Sequence, residues 1–296
     1  MAHLLVAGLI NVETTLKVER FPIDYEPIRY PFFGLNTTVS GVGYNITKAL
    51  TTLGNEVRFL ALTGRDLLGR MVIETLQDQG LPSIDVIANL DQTPQSCILF
   101  DPDGKRMINT DLKHIQESNY PLEFVDAALA HATLAVICNI NFARPFLARA
   151  RAAGVPIATD IHAISSLDDA YNADFMRESD ILFQSHERLP CLPEEWLRQV
   201  FARYKTPLLA VGMGAEGVLL AVDGHLSHIP AVTTRPVVNT VGAGDSLFAA
   251  FVHGYVAGLS PLAAMQRAVI FASWKIGENG GAAGFLNAAD LEELAG

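Results

Sequence analysis

The chain has 296 residues, 50% hydrophobic and 18% charged, with 23 Gly and 15 Pro, a composition that excludes disordered and collagen-like chains. Lys plus Arg number 21 against 32 Asp plus Glu, a formal charge of −11, and that field, with no basic patch to override it, argues against nucleic acid as a partner. Cys97, Cys138 and Cys191 lack the paired spacing of a zinc site or disulfide framework; with no signal-peptide pattern and no apolar run of membrane-spanning length, a cytoplasmic protein with no membrane partner is expected.

Residues 3–10, HLLVAGLI, are an apolar run closed by Asn11, which predicts a buried strand with a polar group at its exit. Residues 14–39 are broken by Pro22, Pro27, Pro31 and Gly34, and a similar texture returns at 95–110 around Asp101-Pro102-Asp103-Gly104. These stretches predict a small antiparallel sheet, a β lid formed by about 12–39 and 95–110. Helical spacing over 44–53 stops at Gly54, a strand pattern covers 57–63, and a second helix over 67–79 stops at Gly80. Strand-like runs follow at 134–138, 155–159, 181–183 and 207–211, separated by helical stretches, and helices are expected over 243–257, 261–276 and from 288 onward. The alternation predicts one α/β domain over residues 1–296, a mostly parallel sheet flanked by helices on both faces with the lid inserted. In such sheets ligands bind at the carboxyl ends of the strands.

The strongest local signal is Asn239-Thr240-Val241-Gly242-Ala243-Gly244-Asp245-Ser246, ahead of an apolar helical stretch. Three small residues before a helix leave backbone N–H groups uncovered for an anion. Asp245 falls in the first turn, either as a base for an attacking hydroxyl or as a residue that stabilises its own helix. Gly41, Gly43 and Asn45 precede another helix, where missing side chains admit a ligand and an amide meets hydroxyls. Asn139, after a strand, reads as a polar contact or a turn residue.

The GAGD run resembles the C-terminal signature of the PfkB, or ribokinase-like, carbohydrate and nucleoside kinases. Gly8-Leu9-Ile10-Asn11, Ser40-Gly41-Val42-Gly43-Tyr44-Asn45 and Leu62-Thr63-Gly64-Arg65-Asp66 with Gly69 occur in the family's order, so the resemblance spans nearly the whole chain. It implies a ribokinase-like fold and ATP-dependent phosphorylation of a hydroxymethyl group on a sugar or nucleoside. Asp245 is then the catalytic base, with Gly242, Ala243 and Gly244 as its anion hole. The acceptor site is formed by Asn11, Glu13, Gly41, Gly43, Asn45 and Asn139. Glu13 stands where the family has Asp, or is an exposed acid at the start of the lid. The form GVGxN, with Cys138-Asn139-Ile140 and Asn239, is similar to pseudouridine kinases and leans the acceptor towards a nucleoside.

The resemblance further implies ATP contacts at Gln184, Gly212, Gly214, Gly217 and Asn279, and Mg²⁺ held, through water, by Glu187; Asp160, a second acid expected at the end of the strand run 155–159, is placed in the same metal network. Asn239, Val241 and Gly281 correspond to a possible monovalent cation (K⁺) site, with Asn239 in place of the usual Asp. Relatives pair through the lid, which implies a homodimer. Gly212 to Gly217 also matches GxGxxG, but the strand pattern at 218–222 replaces the helix a dinucleotide fold needs. Two other classes remain open on the sequence. A nicotinamide oxidoreductase would rest on that match, and a binding or sensor protein on the departures at Glu13, Gln184, Gly212 and Asn239.

Overall fold

A computed structural model describes residues 2–102 and 104–296. Asp103, part of the turn expected at 101–104, lies outside the described residues.

The apolar run at the N-terminus yields β1 (His3–Ala7), shorter than the pattern at 3–10, because the chain leaves the sheet at Gly8. A Cβ on Gly8 would sit 2.6 Å from Cys138 Sγ and 2.9 Å from Gly43 Cα, so glycine permits this close crossing. Asn11 is therefore not a strand exit but the first residue of β2 (Asn11–Lys17). After β3 (Leu35–Ser40) come α1 (Val42–Thr52), β4 (Glu56–Gly64) and α2 (Leu67–Asp78). Asp66 caps α2 by accepting from Gly69 N at 2.9 Å, and it also accepts from Thr93 Oγ1 at 2.6 Å. The Gly64, Asp66 and Gly69 motif thus joins strand, helix and the following loop, and a Cβ on Gly69 would lie 1.8 Å from Gly64 O.

Next are β5 (Val86–Leu90), β6 (Gln95–Phe100), β7 (Arg106–Asp111), α3 (Leu122–Leu129), β8 (Leu134–Ile137), α4 (Arg144–Ala152) and β9 (Ile157–Ala163). They are followed by α5 (Ala173–Glu178), β10 (Ile181–Ser185), α6 (Pro193–Tyr204), β11 (Leu208–Gly212), β12 (Val218–Val222) and β13 (His225–Ile229). The chain closes with α7 (Ala243–Val256), α8 (Pro261–Lys275) and α9 (Ala288–Ala295).

Among the described residues the large sheet has nine strands in the order β13-β12-β11-β10-β9-β8-β1-β4-β5. All neighbours run parallel except β11 with β12 and β12 with β13. Side chains alternate between two cores. Leu4 and Val6 of β1 face the core shared with α1, α7 and α8, while Leu5 and Ala7 face the one shared with α3, α4 and α6. On the first face Phe183 of β10 packs against Phe248 and Phe251 of α7, with ring centroids 4.9 and 5.1 Å apart. This anchors the start of α7 over the carboxyl ends of the strands.

A second sheet of four strands, β3-β2-β6-β7, is built from the segments expected to form one. It is not wholly antiparallel: β2 and β6 pair in parallel between the antiparallel pairs β2–β3 and β6–β7. Residues 18–34 form no regular element.

Candidate active site

Gly242 precedes α7 with φ 76° and ψ 8°. A Cβ there would lie 2.2 Å from Gly281 O, so both the backbone conformation and the contact demand glycine. No side chain caps this helix start; Ala243 N donates to Thr240 O at 3.2 Å, and the N–H groups on either side of it, at Gly242 and Gly244, are the ones this helix start offers an anion. A Cβ on Gly244 would meet nothing nearer than Asp160 Oδ2 at 4.0 Å, so the loop opens towards Asp160.

Asp245 is buried in the first turn, and instead of capping its own helix it accepts a hydrogen bond from Asn45 Nδ2 at 2.7 Å. This contact joins the starts of α1 and α7 across 200 positions of sequence. Burial pushes the Asp245 carboxyl above the usual carboxylate range; His162 and Asn45 pull it back, Asp160 adds repulsion and Lys275 attraction. Ser40 Oγ donates to Asn45 Oδ1 at 3.4 Å. Glu13, on the neighbouring strand, is buried rather than exposed. Burial raises its carboxyl too; the Ser40 hydroxyl opposes that, Asp245 adds to it and Lys275 counters it. Asn11 Nδ2 donates to Ser96 Oγ at 2.6 Å. Two acceptors in this cluster, Asn11 Oδ1 and Glu13 Oε1, are buried with no partner, an arrangement that donors from a bound molecule would complete.

Gly41 and Gly43 serve close backbone approach. Gly41 has φ 109°, a Cβ on it would lie 2.6 Å from Leu9 O, and one on Gly43 would lie 2.6 Å from the Gly8 carbonyl carbon. They seat α1 against the β1–β2 crossing and so place Asn45. Asn139 donates to Asn172 Oδ1 at 3.0 Å and lines a cavity of about 140 Å³ with Leu9, Val42, Gln116, Cys138 and His162, among others.

Asp160 lies at 8% exposure in β9 and accepts from His162 N at 2.8 Å. Glu187 follows the adjacent β10, exposed, with Arg106 Nη2 3.6 Å away. Among the described residues no three His, Cys, Asp or Glu side chains cluster as a metal cage. Asp160 is not at a strand end, because β9 continues past it to Ala163; one acid within β9 and one just after β10, the second open to solvent, do fit Mg²⁺ held through water, since this ion keeps several waters and takes its remaining ligands from carboxylates and phosphates.

Gln184 is turned away from this rim: its Oε1 accepts from Trp196 Nε1 of α6 at 2.8 Å, and its Nε2 is buried without a partner. The Gly212 carbonyl pairs with His186 Nδ1 at 3.0 Å. A short 3₁₀ turn at Gly214–Glu216 then leads into β12, with no helix after the GxGxxG letters. Gly217, at φ 96°, has Ile229 O 2.2 Å from a Cβ position, so it serves the entry to β12. Asn279 is exposed in the loop after α8, and Gly281 of that loop packs on Gly242.

Residues 1–288 match the family model described as pfkB family carbohydrate kinase. The chain belongs to this family. It is a kinase of the sugar and nucleoside class. It is similar to an acarbose 7(IV)-phosphotransferase of an Actinoplanes species, 26% identical over 86% of this chain and 85% of that one. It is also similar to the ribokinase of Lactococcus lactis, 25% identical over 95% and 94%. Among solved structures, a microbiome-derived acarbose kinase superposes with a TM-score of 0.89 at 26% identity, covering 99% of this chain and 98% of that one. Ribokinase of Arabidopsis thaliana, complexed with ribose and ATP, gives 0.81 at 22%, covering 100% and 99%, a likeness of fold.

Three residues of the kinase's rim make contacts that the local sequence does not assign to them. Lys275 reads as an ordinary cation in the last turn of a helix, yet it is fully buried and its Nζ donates to Val241 O. Ser40 heads the glycine-loop motif, but only the fold sets its hydroxyl beside Asn45. Arg106 reads as a lid cation that touches phosphate or sits at a solvated hairpin tip, but from β7 it donates to Thr240 O at 2.9 Å and Thr240 Oγ1 at 3.1 Å, tying the small sheet to the α7 loop.

Proposed function

We propose that this kinase transfers the γ-phosphoryl group of ATP to a hydroxymethyl group of a sugar or nucleoside, with Asp245 taking the hydroxyl proton. The observation that carries this reading is a buried carboxylate, bonded to Asn45, in the first turn of a helix whose glycine-rich start is open to an anion. A carboxyl held above its ordinary pKa by burial is a better proton acceptor, and Asn45 fixes its direction. The N–H groups of Gly242 and Gly244, with that of Ala243 exchanging its bond to Thr240 O and the helix dipole behind them, would take the charge that spreads over the transferring group. Asn11 Oδ1 and Glu13 Oε1 would receive acceptor hydroxyls, which supplies the donors these buried atoms lack.

ATP would lie along the ends of β10 and β11 and under the loop holding Asn279, with the Gly212 to Gly217 backbone beside it. Asp160 and Glu187 would hold Mg²⁺ through water, and the ion would neutralise phosphate charge. The small sheet would act as a lid that excludes water, with Arg106 as its link to the α7 loop. The same sheet is the proposed homodimer surface: Tyr25, Tyr30, Phe32 and Phe33 beside it, and Met107 and Ile108 on its edge strand β7, are exposed.

The test is ADP release from Mg-ATP against pentoses, hexoses and nucleosides, pseudouridine included. Acceptor-dependent release by one class is expected. Tight ligand binding with no release from any acceptor would instead favour a sensor on the kinase fold.

A further inference from the structure

Where residues 238–242 meet the chain leaving α8, the kinase carries a buried positive charge of its own. Lys275 ends α8 with 0% exposure, and its Nζ donates to the carbonyl of Val241, one residue before Gly242. The same two segments are joined by Val238 N and Asn239 N, which donate to Ile276 O at 2.8 and 3.0 Å. Burying an ammonium costs much hydration free energy, which brings the Lys275 pKa down to about 8 and leaves the side chain charged at pH 7, and its hydrogen-bond partner here is a neutral carbonyl. The charged groups that face it are Asp245 and Glu13, which favour the cation, and Arg106 and Arg235, which oppose it.

A potassium ion bound by Asn239, Val241 and Gly281 does not fit these residues. The Val241 oxygen is taken by the ammonium, and Asn239 Oδ1 accepts from Val241 N at 2.7 Å. We propose that the Lys275 ammonium is the resident cation of the anion-hole loop, so that the kinase works without a monovalent metal ion. The C=O of Val241 and the N–H of Gly242 belong to one planar trans peptide and point in opposite directions. Anchoring the oxygen on Lys275 therefore sets the direction of the Gly242 N–H, and Lys275 acts as a positioning residue whose charge also supports the Asp245 carboxylate.

The inference rests on the kinase reading for its activity arm, so the deciding experiment has a second arm that needs no acceptor. Melting temperature and ADP release are measured in KCl, NaCl and choline chloride at one ionic strength. Wild type is expected to melt within about 1 °C in all three and to turn over within about twofold. Lys275→Ala is expected to lose roughly 100-fold in turnover in choline, to regain part of it with K⁺ or ammonium, and to show a K⁺-specific rise in melting temperature. A saturable, K⁺-specific gain in wild-type melting temperature or turnover overturns the proposal. So does Lys275→Met turning over at the wild-type rate in choline, or a loss in Lys275→Ala that no cation restores. Should the alanine variant fail to fold, the wild-type salt series decides. Absence of acceptor-dependent ADP release in every salt counts against the kinase reading, and the melting series still decides the cation.

Discussion

Replacing Asp245 by Asn removes a charge and a proton acceptor while keeping the shape. Asn45 Nδ2 donates to Asp245 Oδ2 at 2.7 Å, and an amide oxygen in that position accepts the same bond, so the starts of α1 and α7 stay joined. Losing the base should lower turnover by 10²–10⁴, or roughly 3–5 kcal/mol in barrier. Stability should move the other way. Burial, above all, holds the Asp245 carboxyl above its ordinary range, whereas in the unfolded chain it ionises near about pH 4. Between those two points the folded protein keeps a proton that the unfolded chain has released, so stability falls as pH rises through the window and the cost is fully present above the folded-state pKa. Asn carries no such cost. Urea unfolding across pH 4–8, beside ADP release, should find the variant more stable than wild type at pH 8, with the gap closing as pH falls towards 4. A variant less stable at pH 8, with a gap that does not change with pH, or one whose turnover stays within about tenfold of wild type, refutes the reasoning.

Gly242→Ala must either leave φ 76° or push Gly281 O away from a Cβ 2.2 Å distant; turnover should fall at least about 100-fold, read by ADP release, with the fold retained by circular dichroism. Glu13→Gln should raise the acceptor KM roughly 10- to 100-fold, the value of a hydrogen bond to a charged group, while the KM for ATP stays unchanged in steady-state kinetics. Arg58→Ala leaves Asp85, at 4% exposure, without its two bonds of 2.8 and 3.0 Å. Because the Arg58 side chain is 39% exposed, the loss is set at about 2 kcal/mol, seen in urea unfolding with turnover intact.

The parallel α/β scaffold and the small sheet were legible because hydrophobic period and glycine punctuation are local properties of the chain. The two helices that stop at Gly54 and Gly80, the strand between them and the strand after Gly217 fell where the structure puts them, and the last of these removed the dinucleotide reading. The parallel pairing of β2 with β6 was not legible, since strand partners as distant as Val12 and Gln95 leave no mark in either strand's own pattern. The same holds for the rim: Asn45 and Asp245 stood in separate motifs, and only folding brings the amide onto the carboxylate. Gly41 and Gly43 looked like ligand contacts, because a glycine needed for backbone crossing and one needed for a ligand are the same letter. Lys275 was hidden most completely, because a basic residue ending a helix is ordinary, and its burial depends on how the 238–242 and 276–281 segments close over it.

The central claim is phosphoryl transfer to a hydroxymethyl group by the Asp245 rim, and the most direct measurement is phosphorus–proton correlation NMR of the product formed from Mg-ATP and the acceptor that releases ADP. The account predicts a phosphomonoester coupled to the two protons of a CH₂–O group, formed by wild type and absent at matched times with Asp245→Asn. Inorganic phosphate as the sole product, or the same ester formed equally fast by the variant, would contradict it.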